Sequence, residues 1–186
     1  MLTYLAAALP RFTSPAARLL ALQCALRCDT RGQVRLPAGL LRGMRLHGHQ
    51  EAWEELIQTG WLTSPDLRSA TVTVQVLDPA VLDQAPGRNA RRQAAHWALR
   101  PSPMVLPAAA PLILRLTALA VAAQSALPAR HGTDMDLLAR MCGHSPAQIA
   151  ELLDRLVAIR TLTAWTYDRT TDEVLWQLPA RAVFAP

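Results

Sequence analysis

Between Thr133 and Pro179 the hydropathy pattern switches from helical to strand periodicity, and this switch constrains the fold more than any other feature of the chain. Leu137, Leu138 and Met141 form one apolar helical face, and Gly143 breaks it. Ser145 followed by Pro146 then supplies an N-cap and a first-turn proline for a second helix. Ile149, Leu152, Leu153, Leu156 and Val157 carry that helix at a spacing suited to packing on its neighbours. Thr161 to Tyr167 and Glu173 to Leu178, rich in Thr, Trp, Tyr and Val, read as strands, and Asp168 to Asp172 has the turn chemistry between them. The stretch therefore predicts a helix, a tight turn, a second helix and a two-stranded hairpin.

The same order occurs earlier. Ser14 and Pro15 open a helix through about Arg27, Val34 to Leu36 makes a short strand, and Pro37 to Leu46 and Gly48 to Thr59 read as helices, the latter stopped by Gly60. Trp61 to Thr63 and Thr71 to Leu77 alternate as strands, with Ser64 to Ala70 as the loop, or wing, between them. At a shift of 100 residues Gly43 falls on Gly143, Glu51 on Glu151, Leu56 on Leu156, Ile57 on Val157 and Leu62 on Leu162, and His49 takes the inward place of Ile149. The long helix Leu112 to Leu127 stands where the first copy has its leading helix. Helix, turn, helix and hairpin in this order predict a winged helix, and the repeat predicts two in tandem. The expected fold is α+β, mainly helical with small β wings: an apolar arm over 1–13, one domain over 14–78, a basic linker over 79–110 and a second domain over 111–186.

Charge separates these segments. The linker holds Pro79, Pro86, Pro101, Pro103 and Pro107, and four arginines against one acid give it a net charge of +3. Residues 1–78 carry eight arginines and six acids, and residues 111–186 seven of each. Within the linker, Asn89 to Leu99 has helical character, with Ala94, Ala95, Trp97 and Ala98 available to lie against something apolar. All 19 basic residues are arginine, which reads first as the codon bias of a GC-rich genome, yet the net charge of +5 still favours an anionic partner. Three cysteines, Cys24, Cys28 and Cys142, in a chain without an export signal predict a reducing cytoplasm. Pro107, Pro111, Arg115 and Gln124 interrupt the most apolar stretch, Met104 to Leu127, so no membrane span is expected.

Residues Gly32 to Leu62, GQVRLPAGLLRGMRLHGHQEAWEELIQTGWL, carry Leu36 and Pro37 before the second helix, the Leu40 and Leu41 pair, Leu56, and Gly60 with Leu62 at the close of the third. This stretch resembles the winged helix-turn-helix of GntR-type bacterial regulators. It departs from them at His47, Gly48 and His49, where those proteins place small polar and basic residues. The tandem arrangement is also similar to plasmid replication initiators and to the winged-helix subunits of condensin-type complexes. The resemblance implies a cytoplasmic, nucleoid-associated bacterial protein that binds double-stranded DNA as a transcriptional regulator or as a plasmid or phage replication or partition factor. Dimerisation follows from the apolar arm Met1 to Leu9 and from the two-fold sites such proteins bind.

In that setting the third helix enters the major groove and the wing meets phosphate. The candidate DNA contacts are Ser145, Gln148 and Arg155 on the second domain's third helix and Arg169 at its wing tip. Gln148 suits an adenine edge and the arginines suit guanine or phosphate. Arg42, Arg45 and His47 are the first domain's candidates, and Arg88, Arg91 and Arg92 are the linker's, suited to a phosphate backbone or a narrow minor groove. A plainer reading pairs Arg155 with Glu151 at i, i+4 on a solvated face. The first domain's third helix exposes Gln50, Glu51, Glu54, Glu55 and Gln58, and such an acidic face repels phosphate. It supports the alternative of a winged-helix protein-interaction adaptor that does not bind DNA, with a protein partner at Gln50 to Gln58. Cys24 with Cys28, His47 with His49, and Cys142 with His144 do not form paired doublets at zinc-finger spacing, so no metal is expected. The sequence has no phosphate-cradling glycine loop, no nucleophile elbow and no HExxH, so neither catalysis nor a cofactor is expected.

Overall fold

A computed structural model describes residues 1–67, 69–104, 106–125 and 131–179. The last two residues of the helix expected over 112–127, and the chain beyond Pro179, lie outside them. The fold is α+β with small antiparallel sheets, and the chain divides into two compact units, Met1–Leu99 and Arg100–Pro186.

Unit 1 begins with α1 (Leu2–Ala8) and α2 (Pro15–Arg27). The hydroxyl of Ser14 accepts from Ala17 N, the expected N-cap. Glu55, from a later helix, accepts from Ser14 N at 2.8 Å and satisfies a further donor at this helix start. Next come β1 (Gln33–Pro37), α3 (Ala38–Gly43), α4 (Gln50–Gln58) and β2 (Thr71–Gln75). Val34 and Leu36 of β1 and Val72 and Val74 of β2 point into the core, as a two-residue period requires. β2 pairs with β1, whereas the expected strand Trp61–Thr63 is reduced to one bridge, Leu62 with Val76.

The expected arm and linker are not separate segments. Leu5 and Leu9 are buried in unit 1, which removes the arm as a motive for dimerisation. Residues 79–99 form α5 (Ala80–Gln84) and α6 (Arg88–Trp97), and α6 packs on α2 with Ala95 buried. Unit 1 therefore holds eleven arginines against seven acids.

Unit 2 contains α7 (Leu112–Ser125), β3 (Gly132–Asp134), α8 (Met135–Cys142), α9 (Pro146–Ala158), β4 (Ala164–Asp168) and β5 (Glu173–Gln177). The strand order is β3-β5-β4. This matches β1, β2 and the Leu62 bridge of unit 1, so the helix and strand order of one unit recurs in the other. The core joins Leu116, Leu119, Leu138, Ile149, Leu153 and Leu156, all buried.

The expected phase of the repeat holds at the ends of the third helices and fails at their starts. Gly60 and Arg160 both have positive φ, 69° and 58°. Gly143 caps α8 in the left-handed conformation, but Gly43 is an ordinary last residue of α3, and Arg45, at φ 62°, makes the reversal there. His49 does not face inward like Ile149; it is the half-buried N-cap of the shorter α4.

Candidate functional site

A cluster of arginines lies in unit 1, where the C-terminal end of α2, the outer side of β1 and the first turns of α6 enclose a cleft of about 740 Å³. Its walls follow from local sequence. α2 ends at Arg27, and Asp29 folds the chain back: its carboxylate accepts from Arg31 N at 2.8 Å and Gln33 N at 2.9 Å, and its own N–H donates to Gln33 O. The alternation of β1 turns Arg35 outward. Helical spacing gathers Arg88, Arg91 and Arg92 on neighbouring positions of α6.

Gln23 joins these walls. It is buried, donates through Nε2 to Ala95 O at 3.2 Å, and accepts from Arg27 Nε at 2.9 Å, so one side chain ties α6 to α2 and orients a guanidinium of the rim. Arg91 reaches inward and donates to Cys28 Sγ at 3.7 Å. Burial pushes the Cys28 thiol up and Arg91 opposes it. Five arginines, 27, 35, 88, 91 and 92, thus surround a floor that includes Leu26, Cys28 and Ala95.

The acid lining the cleft, Asp29, is bonded to its own turn and attracted by Arg31 and Arg35. The backbone N–H groups of Gln33 and Arg31 hold its carboxyl below the usual range. A depressed carboxylate contributes stability above its unfolded pKa, about 3.9, that disappears as pH falls through its lower folded value. Urea unfolding followed downward from about pH 5 should therefore lose part of its free energy at Asp29, and Asp29→Asn should flatten that part of the profile.

In unit 2 the starts of α8 and α9 are closed by capping. Asp134 accepts from Leu137 N at 2.7 Å, and Ser145 accepts from Gln148 N at 3.3 Å. Gln148 Oε1 in return accepts from Ser145 N at 3.0 Å, completing a capping box. The two residues expected to meet DNA at this helix start are therefore engaged with each other, and Gln148 is not presented as an adenine reader with both amide atoms available. Arg155 is exposed on α9, and no ion pair joins it to Glu151 among the described residues. Asp154 accepts from Trp165 Nε1 at 2.8 Å and fixes α9 to β4. Arg169 is exposed in the turn after β4, which is held by Asp168 accepting from Thr170 N and by a short bond from the Tyr167 hydroxyl to Asp172.

Arg42, Arg45 and His47 are exposed at the turn between α3 and α4, whose backbone is set by Leu46 N and His47 N donating to Leu41 O. On α4, Glu51 and Glu54 are exposed and Gln50 donates to Glu54, whereas Glu55 is half-buried and occupied by Ser14 N. The acidic face is thus narrower than the sequence implied.

No family model, curated protein or solved structure matches this chain. Its chemistry therefore rests on these side chains. Of the expected contacts, the structure gathers Arg88, Arg91 and Arg92 into one site and adds Arg27 and Arg35, which the sequence reading omitted. Arg35 was signalled by its outward position in an alternating strand, and Arg27 by its place in the last turn of a helix. Among the described residues no group of three or more His, Cys, Asp or Glu side chains is arranged to hold a metal, and no helix is long and apolar enough to cross a membrane.

Proposed function

We propose that each unit is a winged helix and that the chain binds double-stranded DNA, with α9 of unit 2 as the groove-facing helix and the β4–β5 hairpin as the wing. The observation that carries this reading is the presentation of Arg155 and Arg169. Both stand exposed, with no ion pair among the described residues, on a helix and hairpin held by a capping box, the Asp154–Trp165 bond and the Asp168 turn. Such preorganisation suits arginine recognition of guanine edges and phosphates. The basic charge of the whole chain supports an anionic partner. A role in transcription, replication or partition follows as the function class, in the cytoplasm.

Selection from a random duplex library tests the reading. A recovered motif is expected, with Arg155→Ala relaxing one position at about 1–3 kcal/mol and Arg169→Ala weakening all sequences alike while lowering the salt slope by about one. A palindromic motif would indicate a homodimer, and an asymmetric one a single chain at each site. Failure to enrich any motif, together with capture of a protein by wild type but not by Glu51→Lys/Glu54→Lys, would favour the adaptor reading, which the exposed acids of α4 support.

A further inference from the structure

The cleft of unit 1 does not belong to the groove-reading surface of unit 2, and its shape differs from what a polyanion track requires. A backbone-tracking surface is an open basic stripe. Here arginines from α2, β1 and α6 line one concavity together with the buried Leu26, Cys28 and Ala95. A volume of about 740 Å³ falls within the range of small-molecule sites, roughly 300–1,000 Å³. Apolar floor and cationic rim match a molecule with a ring at one end and phosphate at the other. Gln33 and Asn89, which also line the cleft, offer amides to ring or sugar hydroxyl groups.

We propose that this cleft binds a phosphate-bearing small molecule of nucleotide size, with the phosphates held by Arg35, Arg88, Arg91 and Arg92 and the ring placed over the floor. The charge balance leaves room for such a ligand. Five arginines line the space against one carboxylate, Asp29, which is bonded to the turn at Arg31 and Gln33 and attracted by Arg35, so a net positive charge and its mutual repulsion remain. An incoming di- or triphosphate relieves that repulsion and accepts forked hydrogen bonds that a monovalent anion cannot match. Gln23 is a positioning residue, since it bonds Arg27 and the backbone of α6 together. The Cys28 thiol, its pKa pushed up by burial, is touched by Arg91 and lies at the floor without taking part in chemistry.

Phosphate can reach the cleft as a free nucleotide or as a DNA backbone, and calorimetric titration of the full chain at constant ionic strength separates the two. The probes are inorganic pyrophosphate, adenosine triphosphate without divalent cations, and a random-sequence duplex. Wild type is expected to bind pyrophosphate and adenosine triphosphate at one equivalent, the nucleotide more tightly because of the floor. Arg88→Gln/Arg92→Gln, both at exposed positions, should weaken nucleotide binding about 100-fold, roughly tenfold for each guanidinium, with the melting temperature of the free protein little changed. Arg155→Ala/Arg169→Ala should leave nucleotide binding intact while duplex binding falls, so failure of the DNA reading and failure of this one are read on different variants. Absence of saturable nucleotide or pyrophosphate binding would overturn the proposal, as would nucleotide affinity unchanged in Arg88→Gln/Arg92→Gln. Loss of duplex affinity alone in that variant, with no nucleotide bound by wild type, would assign the cleft to the DNA backbone instead.

Discussion

Replacing Arg18 with alanine is expected to destabilise unit 1 by about 3 kcal/mol or more. Arg18 is only 2% exposed. Its Nε donates to Thr13 O at 3.1 Å, and its Nη2 donates to Pro10 O at 2.8 Å and Arg11 O at 2.9 Å. These carbonyls belong to the chain between α1 and α2, where Thr13 and Leu9 are also buried. Truncation leaves a cavity and carbonyls without partners, each costing about 1–3 kcal/mol, partly offset because the guanidinium no longer has to be desolvated. Arg18→Met separates the two causes by restoring volume without donors. If the hydrogen bonds dominate, methionine should recover little of the loss in urea unfolding. Arg18→Lys should be intermediate, because an ammonium cannot reproduce the planar fork.

Gly32→Val is expected to cost about 3 kcal/mol for a backbone reason. Gly32 has φ +75°, and a Cβ there would stand 2.7 Å from Val76 O. That carbonyl's residue is itself bonded to Gly32, since Val76 N donates to Gly32 O at 2.8 Å, so neither chain can move without breaking the other's pairing. The left-handed conformation alone costs a non-glycine residue about 1–2 kcal/mol, and a β-branched side chain more. The same distortion displaces the Asp29 turn and Arg35, so anion binding in the cleft should weaken with stability. Gly43→Ala is the control. A Cβ there would meet nothing within 4 Å beyond its chain neighbours and its own helix backbone, and its φ is not positive, so the variant should be neutral or stabilise by roughly 0.5–1 kcal/mol. Paired denaturation curves for the two variants distinguish a conformational requirement from a general intolerance of substitution.

Much of the fold was legible because the decisive signals were local. Ser14 with Pro15 and Ser145 with Pro146 marked helix starts that the structure retains. The alternation through Val72, Val74 and Val76 marked an inward strand face. Pairing was less legible, because alternation says which face is buried and not which strand lies alongside. β2 therefore joins β1, leaving a single bridge at Leu62. His49 departs from the place of Ile149 because a fixed shift does not hold along the whole helix: α4 begins at Gln50 and α9 at Pro146, so only their ends coincide. At Gln148 a local partner competes with a base. Ser145 and Gln148 have the spacing of a capping box, which satisfies two local donors and is closer at hand than any base. The cleft was visible only in part. Arg88, Arg91 and Arg92 form a cluster in sequence, but Arg27 and Arg35 reach the same space through the packing of α6 on α2, a tertiary event that no local pattern encodes.

Binding of duplex DNA through charge displayed on a fixed scaffold is read most sharply in its salt dependence. Labelled random-sequence duplex is titrated with the full chain by fluorescence anisotropy at salt from about 50 to 200 mM. Binding should weaken linearly on logarithmic axes with a slope of about −2 or steeper, one unit of which disappears with Arg169→Ala and another where Arg155 meets phosphate. Absence of duplex binding at the lowest salt, or a slope that neither substitution changes, would contradict the account.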